Sequence, residues 1–375
     1  MFDCIVVGAG PAGSITAYQL AKQGHSVLLL EKYRLPRYKP CTGAVAPSIA
    51  GWLDFVITPA IAQKLRRIRY TWQLDDPIEA ELETEEPMWI VSRDVFDQCL
   101  VDQAIKAGVT LSDNNPVLSI AFQDNAWTGN TESGVNVGRY LIAADGADGP
   151  MAQWLGFKPA KMRQGYVLEI DLPSPIANPT MAFEFGLVKQ GCLWNFPKRQ
   201  RHSLGMTHFL GTPLKNPEQS LATYAEALGS SFEAGRLYSH GLKLWNGNRR
   251  LHTQQALLVG EAAALVDPMT AEGIRPAIFS GIKAAAAIDR ALNGDAQALA
   301  DYSQTIHDEW GSDIQWSQRI ASVFFRMQKI GYRDGIKRPT ATKRLGQLLA
   351  GEVRYADLAN RVTKRIGGSF LPGRS

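Results

Sequence analysis

The chain has 375 residues, of which 45% are hydrophobic and 20% charged, and its formal net charge at pH 7 is +4. This composition is typical of a globular protein and excludes a mostly disordered chain. No apolar run approaches the roughly 18 to 20 residues that cross a bilayer, and the net charge is too small to indicate nucleic acid as a partner. The four cysteines form no Cys-x-x-Cys pair, which excludes the usual zinc and dithiol motifs. We therefore expect free thiols, no metal, no secretory signal and a cytoplasmic protein.

The first thirty residues are predicted to form a strand, a turn, a helix and a second strand. Residues 2–7 are an apolar run, 14–23 have the apolar spacing of a helix, and 26–30 are a second apolar run that ends at Glu31. This order predicts a βαβ unit with a buried parallel sheet.

Later segments alternate between this kind of structure and a second one. Residues 66–91 alternate between apolar and polar, which indicates antiparallel strands, whereas 94–107 have helical spacing. In chain order, we further predict strands at 117–122, 135–143, 166–170, 181–185, 192–196, 203–209 and 256–259, a helix at 274–292, and only helices after 301. This pattern predicts an α/β fold in which a Rossmann-like domain is interleaved with an antiparallel β-sheet substrate domain, followed by a helical C-terminus.

The predicted domain boundaries follow these changes of pattern. The Rossmann-like domain takes residues 1–65, 93–156 and 256–294, the substrate domain takes 66–92 and 157–255, and the helical region is 295–375.

A Gly-x-Gly-x-x-Gly motif lies between the first strand and the first helix, where a dinucleotide-binding turn requires it. Gly8 permits the tight turn, Gly10 lets the backbone approach a pyrophosphate, and Gly13 lets helix and strand pack closely. The helix N-terminus offers free N–H groups to phosphates, and Glu31 can accept hydrogen bonds from a ribose. The motif predicts dinucleotide binding without choosing between FAD and NAD.

Two later strand ends favour a long, bent cofactor. One strand runs into Asp145-Gly146, and another runs into Gly260-Glu261 and then, through Pro268, to the start of a helix at Gly273. A carboxylate at such a place can hold ribityl hydroxyls, and the backbone N–H groups of Gly273 and Ile274 can face a flavin.

The sequence resembles the FAD-dependent geranylgeranyl reductase family, within the larger class similar to para-hydroxybenzoate hydroxylase. The resemblance covers about residues 1–290 and rests on six motifs: residues 8–13, 39–43, Arg93 with Phe96-Asp97, 144–149, 194–197 and 260–273. The chain departs from the family pattern at five places. Cys192 replaces an aromatic residue, Thr207 a glycine, Glu261 an aspartate and Ala271 a glycine, and Pro150-Met151 stand where the family often has a serine.

The resemblance implies that the cofactor is FAD and that the protein is an enzyme that reduces C=C double bonds of an isoprenoid lipid, with NADPH or reduced ferredoxin as electron donor. An isoprenoid alkene has no carbonyl that could stabilise developing charge, so we expect an apolar, largely dry pocket with one acid at its inner end. Two alternatives stay open: an FAD-dependent monooxygenase that hydroxylates an aromatic or lipid substrate, and a flavin-binding protein with altered activity. The predicted cofactor-binding residues are Gly8, Gly10, Pro11, Ala12, Gly13, Glu31, Lys32, Cys41, Thr42, Gly43, Arg93, Asp145, Gly146, Gly260, Glu261, Pro268, Gly273 and Ile274.

Cys41, Trp194 and Phe196 are the candidate catalytic residues. The resemblance implies that the loop holding Cys41 passes near the flavin, where this side chain could shape the site, relay a proton, or simply permit close approach. We expect Trp194 and Phe196 to line the pocket. Four other aromatic residues could line it or fill the core, namely Trp72, Trp89, Phe183 and Phe185, and two further candidates for proton donation are Tyr166 and His208.

The C-terminal region is basic. Residues 331–375 contain ten Lys or Arg and three Asp or Glu. Two apolar helical stripes lie in or just before these residues, one of Ile320, Val323, Phe324 and Met327, the other of Leu345, Leu349, Val353, Ala356, Ala359 and Val362. Such helices could lie on an anionic membrane or cap the core. We therefore expect a prenyl lipid or other apolar substrate as the partner, with peripheral membrane contact through this region.

Overall fold

The computed structural model describes residues 1–211, 213–214, 216–245, 247 and 250–359. Within these residues the strands are β1 (Phe2–Val7), β2 (Val27–Leu30), β3 (Ala44–Val45), β4 (Ile61–Leu65), β5 (Arg67–Trp72), β6 (Asp75–Glu81), β7 (Met88–Val91), β8 (Thr110–Ser112), β9 (Val117–Gln123), β10 (Ala126–Thr131), β11 (Gly134–Ala143), β12 (Met162–Asp171), β13 (Met181–Phe185), β14 (Gly191–Asn195), β15 (Arg201–His208), β16 (Gly235–Lys243), β17 (His252–Thr253) and β18 (Ala256–Leu258). The α-helices are α1 (Pro11–Lys22), α2 (Arg93–Lys106), α3 (Met151–Trp154), α4 (Pro217–Ala227), α5 (Ile274–Leu292), α6 (Ala298–Ile306), α7 (Ser312–Arg326), α8 (Gln328–Ile330) and α9 (Pro339–Ala350).

The first sheet is mainly parallel and has the order β17-β18-β11-β1-β2-β8, with the β9–β10 hairpin attached to β11. Strand β1 pairs in parallel with both β2 and β11, and β11 pairs in parallel with β18. The central strands are buried along their length, as their continuous apolar sequence requires when helices cover both faces. Helix α5 packs against α1 so closely that a Cβ added to Gly281 would lie 2.7 Å from the Ala12 carbonyl oxygen.

The second sheet has seven strands in the order β16-β12-β15-β14-β13-β5-β6. All neighbours are antiparallel except β5 and β13, which pair in parallel. The predicted interleaved α/β architecture is confirmed. Strand β7 lies within the segment predicted as part of this sheet, but it pairs with β3 and β4 in a separate three-stranded sheet. The sequence reading also missed β16, which forms the edge of the large sheet.

The C-terminal helices differ from the predicted stripes. In α7 the buried residues include Ile314, Ala321 and Phe325, whereas Val323 and Met327 are exposed. Helix α9 ends at Gly351, whose φ of 77° is left-handed, so the second predicted stripe is not one continuous helix. Its last residue, Val362, lies outside the described residues. None of the helices in the described part of the chain combines the length and apolarity needed to cross a membrane.

A buried aspartate joins the C-terminal region to the loop that precedes α5. The Tyr355 hydroxyl donates to Asp267 Oδ2 over 2.7 Å, and Ser317 donates to Oδ1 of the same carboxylate. The Met269 backbone N–H also donates to Oδ1, over 2.8 Å. Burial, together with the adjacent Asp267 charge, raises the pKa of Tyr355 well above its ordinary value, so the phenol remains a donor at all physiological pH values. The residues around Tyr355 are therefore part of the folded core and not a separate tail.

The Asp267 contact predicts a stability loss when its donor is removed. Tyr355→Phe deletes one hydroxyl and leaves a buried carboxylate oxygen without it. We expect this variant to lose about 1–3 kcal/mol of unfolding free energy, measured by urea denaturation of the ligand-free protein. Tyr70→Phe is the matched control, because the Tyr70 hydroxyl is also fully buried but has no hydrogen-bond partner among the described residues. Equal midpoints for the two variants would contradict the proposed contribution of Tyr355.

Candidate active site

The carboxyl ends of the parallel strands open onto a cavity of about 790 Å³. This volume falls within the range of single-ligand pockets, about 300–1,000 Å³. The opposite wall comes from the seven-stranded sheet, through β12, β14, β15 and β16. Of the predicted site residues, those that line the cavity are Gly8, Gly10, Pro11, Ala12, Glu31, Lys32, Cys41, Thr42, Arg93, Asp145, Gly146, Trp194, Glu261, Gly273 and Ile274. Those that lie outside its lining are Gly13, Gly43, Phe196, Gly260 and Pro268.

Glycine stands at the three motif positions for different structural reasons. Gly8 has φ 108°, and a Cβ there would lie 2.4 Å from the Ala144 carbonyl oxygen. A Cβ on Gly13 would lie 1.9 Å from the Gly8 carbonyl oxygen, so both are required by the protein's own backbone. A Cβ on Gly10 would lie 3.9 Å from its nearest protein atom, Nη2 of Arg37. No protein atom therefore requires glycine at position 10. The absence of a side chain there instead leaves space in the cavity for a ligand.

Helices α1 and α5 both begin at the cavity. Their N-cap residues, Gly10 and Gly273, carry no side chain that caps the first turn. The N–H groups of these first turns therefore lack side-chain acceptors and can bind an anionic or carbonyl group of a ligand. Ala271, just before α5, has φ 58°, which is a left-handed value that glycine adopts without strain. This explains why the related family tends to glycine at this position.

Glu31 lies at the end of β2 as part of a buried charge network. Its Oε2 accepts from the Ala9 backbone N–H over 2.9 Å, and its Oε1 accepts from the Tyr33 N–H over 3.1 Å. Arg37 lies 3.4 Å from Glu31 Oε2 and 3.0 Å from Asp97 Oδ2. Arg93 in turn donates twice to Asp97, over 2.7 Å in each case. The sequence reading missed Arg37, which no motif marks and which only the folded loop brings beside Gly10.

Asp145 follows β11 and is a residue of the cavity lining. Its Oδ2 accepts from the Met151 N–H over 2.8 Å, whereas its buried Oδ1 has no hydrogen-bond partner among the described residues. Burial raises the pKa of Asp145. A Cβ on Gly149 would lie 1.9 Å from Oδ2, so this glycine makes room for the carboxylate. A buried acceptor without a donor is the expected state of a side chain that binds a ligand hydroxyl.

Glu261 contacts the substrate-domain sheet, which the sequence did not predict. Its Oε2 lies 3.1 Å from His240 Nε2, and its Oε1 accepts weakly from the Lys243 N–H over 3.4 Å. Lys39 Nζ lies 3.1 Å from the same His240 nitrogen. Burial alone would raise the pKa of Glu261, but the His240 hydrogen bond and the Lys39 charge hold that pKa below its usual value. One ring nitrogen cannot accept from Lys39 and donate to Glu261 at once. His240 Nε2 therefore donates to Glu261 when it carries a proton and accepts from Lys39 when it does not.

Trp194 is held in the wall by two neighbours. Its Nε1 donates to Thr42 Oγ1 over 2.8 Å, and a Cβ on Gly205 would lie 2.1 Å from the same nitrogen. Cys41, which is half-buried, lines the cavity beside Thr42. The indole is therefore fixed by the loop that carries Cys41 on one side and by a glycine of β15 on the other.

Phe196 and several other aromatic candidates lie in the core. The Phe196 ring packs edge-on against Phe183, with centroids 5.4 Å apart, and behind Trp194 at 6.4 Å. Trp72, Trp89, Phe183 and Phe185 likewise belong to or pack against hydrophobic clusters and do not line the cavity. Of the two further proton-donor candidates, Tyr166 lies on a cavity-lining strand, but its side chain is on the sheet face of Met206 and Leu193, away from Trp194. His208 is buried, 3.4 Å from Arg163.

Comparison with known proteins agrees with this geometry. A family model described as an FAD binding domain matches residues 1–309. A digeranylgeranylglycerophospholipid reductase from Methanosphaerula palustris is 27% identical to this chain over 87% of the chain and 86% of its own length. The chain belongs to the FAD-dependent geranylgeranyl reductase family. It is an FAD-dependent oxidoreductase, as the sequence predicted.

Solved structures share the fold of this reductase-family protein. A geranylgeranyl bacteriochlorophyll reductase-like protein from Thermoplasma acidophilum aligns with a TM-score of 0.75 and 23% identity, covering 86% of this chain and 87% of its own. A flavin-dependent brominase aligns with a TM-score of 0.71 and 19% identity, and the alignment covers 98% of this chain and 99% of the brominase chain. The same fold is thus found in proteins named for different reactions, so the reaction has to be argued from the site.

The residues present fit FAD. Glu31 would hold the ribose, the turn at residues 8–13 and the first turn of α1 would hold the pyrophosphate, and the first turn of α5 would face the flavin. Asp145 Oδ1 would accept from a donor of the bound cofactor. Arg37 and Arg93 place two buried cations beside this path, with Asp97 and Glu31 as their partners.

The motif glycines predict separable effects on folding and FAD binding. We expect Gly10→Ala to fold but to bind FAD about tenfold more weakly or worse, because its methyl group would occupy the cofactor's space. Gly13→Ala should fail to fold normally, since its methyl group would overlap the Gly8 carbonyl. Gly51→Ala is the control that should change neither property, because no atom lies within 4 Å of the added Cβ. Circular dichroism and FAD titration of the apoprotein measure the two properties, and full FAD affinity in Gly10→Ala would contradict the assignment.

The His240 contact predicts that two residues act on FAD binding as a unit. We expect His240→Ala and Glu261→Ala each to weaken FAD binding, and the double variant to lose less than the sum, with a coupling of about 0.5–3 kcal/mol. Quenching of flavin fluorescence on binding to the apoprotein measures all four affinities. His202→Ala combined with Glu261→Ala is the matched control, because His202 bonds to Asn195 instead and the two effects should add. Additive losses for the His240 pair would show that the contact does not matter for FAD binding.

Proposed function

We propose that this protein reduces carbon–carbon double bonds of an isoprenoid lipid, with NADPH or reduced ferredoxin as the electron donor. The observation that carries the proposal is the apolar wall that faces the FAD path. It consists of Val167, Trp194, Leu242 and Val266, together with Ala271. An alkene chain offers nothing to hydrogen-bond, so a wall of this kind suits it. The name of the Methanosphaerula palustris relative supports the same substrate class.

Bound FAD, once reduced by the electron donor, would supply the hydride, and the residues of the chain would supply the substrate surface and the proton. Trp194 cannot move freely because Thr42 and Gly205 hold its indole, so it offers the alkene a fixed apolar surface. The buried sheet residues behind it, Leu193 and Leu204, exclude water from that side. Without a carbonyl in the substrate, a proton has to reach the alkene carbon as the hydride does. Cys41 is a protic side chain of the cavity lining that could deliver it.

A polar group of the substrate would meet a different part of the cavity. Lys39, His240 and Glu261 line it at the edge formed by β16, along with Ser239. Burial lowers the pKa of Lys39. These residues give the cavity a polar part next to its apolar wall, which suits an amphiphile with one oxygen-bearing end.

The proposal includes peripheral contact with a membrane, because an isoprenoid lipid has to be taken from one. The excess of Lys and Arg in residues 331–375 favours an anionic surface. Part of that region, 360–375, lies outside the described residues.

The reaction predicts reoxidation of the reduced enzyme by lipid in the absence of oxygen. Photoreduced holoenzyme is mixed anaerobically with a geranylgeranyl lipid in detergent, the flavin spectrum is followed, and the product is weighed. We expect the oxidised spectrum to return and the product mass to rise by one hydrogen pair for each double bond reduced. The saturated lipid of the same chain length is the control and should leave the flavin reduced. Reoxidation that needs oxygen and places an oxygen atom in the product would overturn the proposal in favour of a monooxygenase.

A further inference from the structure

An exposed apolar face runs along α7 and α8. Val323 is 59% exposed, Met327 50% and Ile330 52%. The Met327 N–H bonds to the Val323 carbonyl, and the Gly331 N–H bonds to the Met327 carbonyl. Met327 joins α7 to α8 with φ −122° and ψ 45°, and these two bonds keep the segment in successive turns. The three exposed side chains therefore lie on neighbouring turns. Exposure of three large apolar side chains on neighbouring turns to water is unfavourable, and such patches often mark interaction sites.

The same segment carries unpaired positive charge. Residues 319–337 contain five Lys or Arg and one acid, Asp334. Arg333 is paired with Asp334, and Lys337 is paired with Asp76. Arg319, Arg326 and Lys329 form no ion pair with any described residue. Arg319 instead lies over the Trp316 ring, 4.7 Å from its centroid.

The inner side of the same helix belongs to the apolar body that reaches the cavity. Phe324 packs edge-on against Phe185 at 5.4 Å, and Phe325 stacks on Phe209 at 4.5 Å. The hydrophobic cluster that contains Phe185, Phe209 and Phe325 also contains Trp194 and contacts Ala271. Trp194 and Ala271 line the cavity. One continuous apolar body therefore separates the exposed face from the FAD path.

We propose that this face docks onto an anionic lipid bilayer. The docking face is defined as Val323, Met327 and Ile330 with Arg319, Arg326 and Lys329. Apolar side chains flanked by unpaired cations match the boundary between acyl chains and anionic headgroups. The proposal refines the membrane contact of the proposed function by assigning it to a described surface, and docking itself does not require that the lipid be reduced. Docking here would bring the membrane against the apolar body whose inner end lines the cavity.

Flotation of the holoenzyme with vesicles tests the docking face. We expect the wild type to float with vesicles of phosphatidylcholine and phosphatidylglycerol and much less with phosphatidylcholine alone. Val323→Ser with Met327→Ser and Ile330→Ser should lose flotation on both. Arg319→Gln with Arg326→Gln and Lys329→Gln should lose about fivefold in partition for each side chain, on the anionic vesicles only.

The matched control removes equally exposed apolar side chains elsewhere. Val95 is 49% exposed, Leu118 55% and Val135 65%, and they lie on α2, β9 and β11. Replacing all three by Ser should leave flotation unchanged. The flavin absorbance of each variant confirms that the holoenzyme is intact.

Three outcomes would overturn the docking face. These are no flotation of the wild type, wild-type flotation of the triple Ser variant at 323, 327 and 330, and loss of flotation only when residues 360–375 are deleted. The anaerobic assay with detergent-dispersed lipid separates this result from the proposed function. If the protein docks through this face but never reduces the lipid, the docking face stands and the reductase proposal fails. If the protein reduces the lipid in detergent but does not dock, the reductase proposal stands and the docking face fails.

Discussion

The parallel pairing of β1 with β2 and β11 is the constraint on which the site depends. Val7 is in register with Leu30 on one side and with Ala143 on the other. Each strand therefore ends at the same level, and the next residues along the chain, Gly8, Glu31 and Ala144, arrive at one edge of the sheet. Asp145 follows directly. Three segments that are distant in sequence thus converge because buried parallel strands end together. The residues that follow each strand then determine which backbone and side-chain groups lie at this edge.

The second sheet closes this edge and makes the site depend on contacts between the two sheet systems. The antiparallel register of β12 with β16 places Gly165 opposite His240, and both line the cavity. His240 reaches Glu261 on the far side, which follows β18. An aspartate at position 261 would be one methylene shorter, so the glutamate gains a partner that belongs to the other sheet. We interpret this departure from the family pattern as a substitution that exchanges a local contact for a contact across the cavity.

The sequence was sufficient to predict those parts of the site whose structure is determined by residues close together in the chain. The left-handed φ of Gly8 and the contact of Gly13 with the Gly8 carbonyl arise within one turn, and residues 274–292 form the predicted helix to the residue. Parts that depend on packing between distant segments could not be predicted. Arg37 and His240 carry no motif and enter the site only because a loop folds over the sheet and an edge strand pairs with β12. Phe196 illustrates the opposite error. It follows Trp194 by two residues, yet β14 ends at Asn195, so the alternation that faces Trp194 toward the cavity does not place Phe196 there as well.

For a related physical reason, the sequence could not decide whether the apolar stripe that begins in α7 faces the core or the surface. A periodic pattern gives the spacing of apolar residues but not which of two apolar faces is buried, and this helix has both. Ala321 and Phe325 face the core, whereas Val323 and Met327 face outward. A helix with one buried role needs only one apolar face. Exposed apolar side chains gathered on one face are typical of an interaction surface, and this is the face that we propose docks onto lipid. For an enzyme whose cavity wall is continuous with this helix, an apolar partner at this place also shortens the distance that an isoprenoid chain would travel away from lipid.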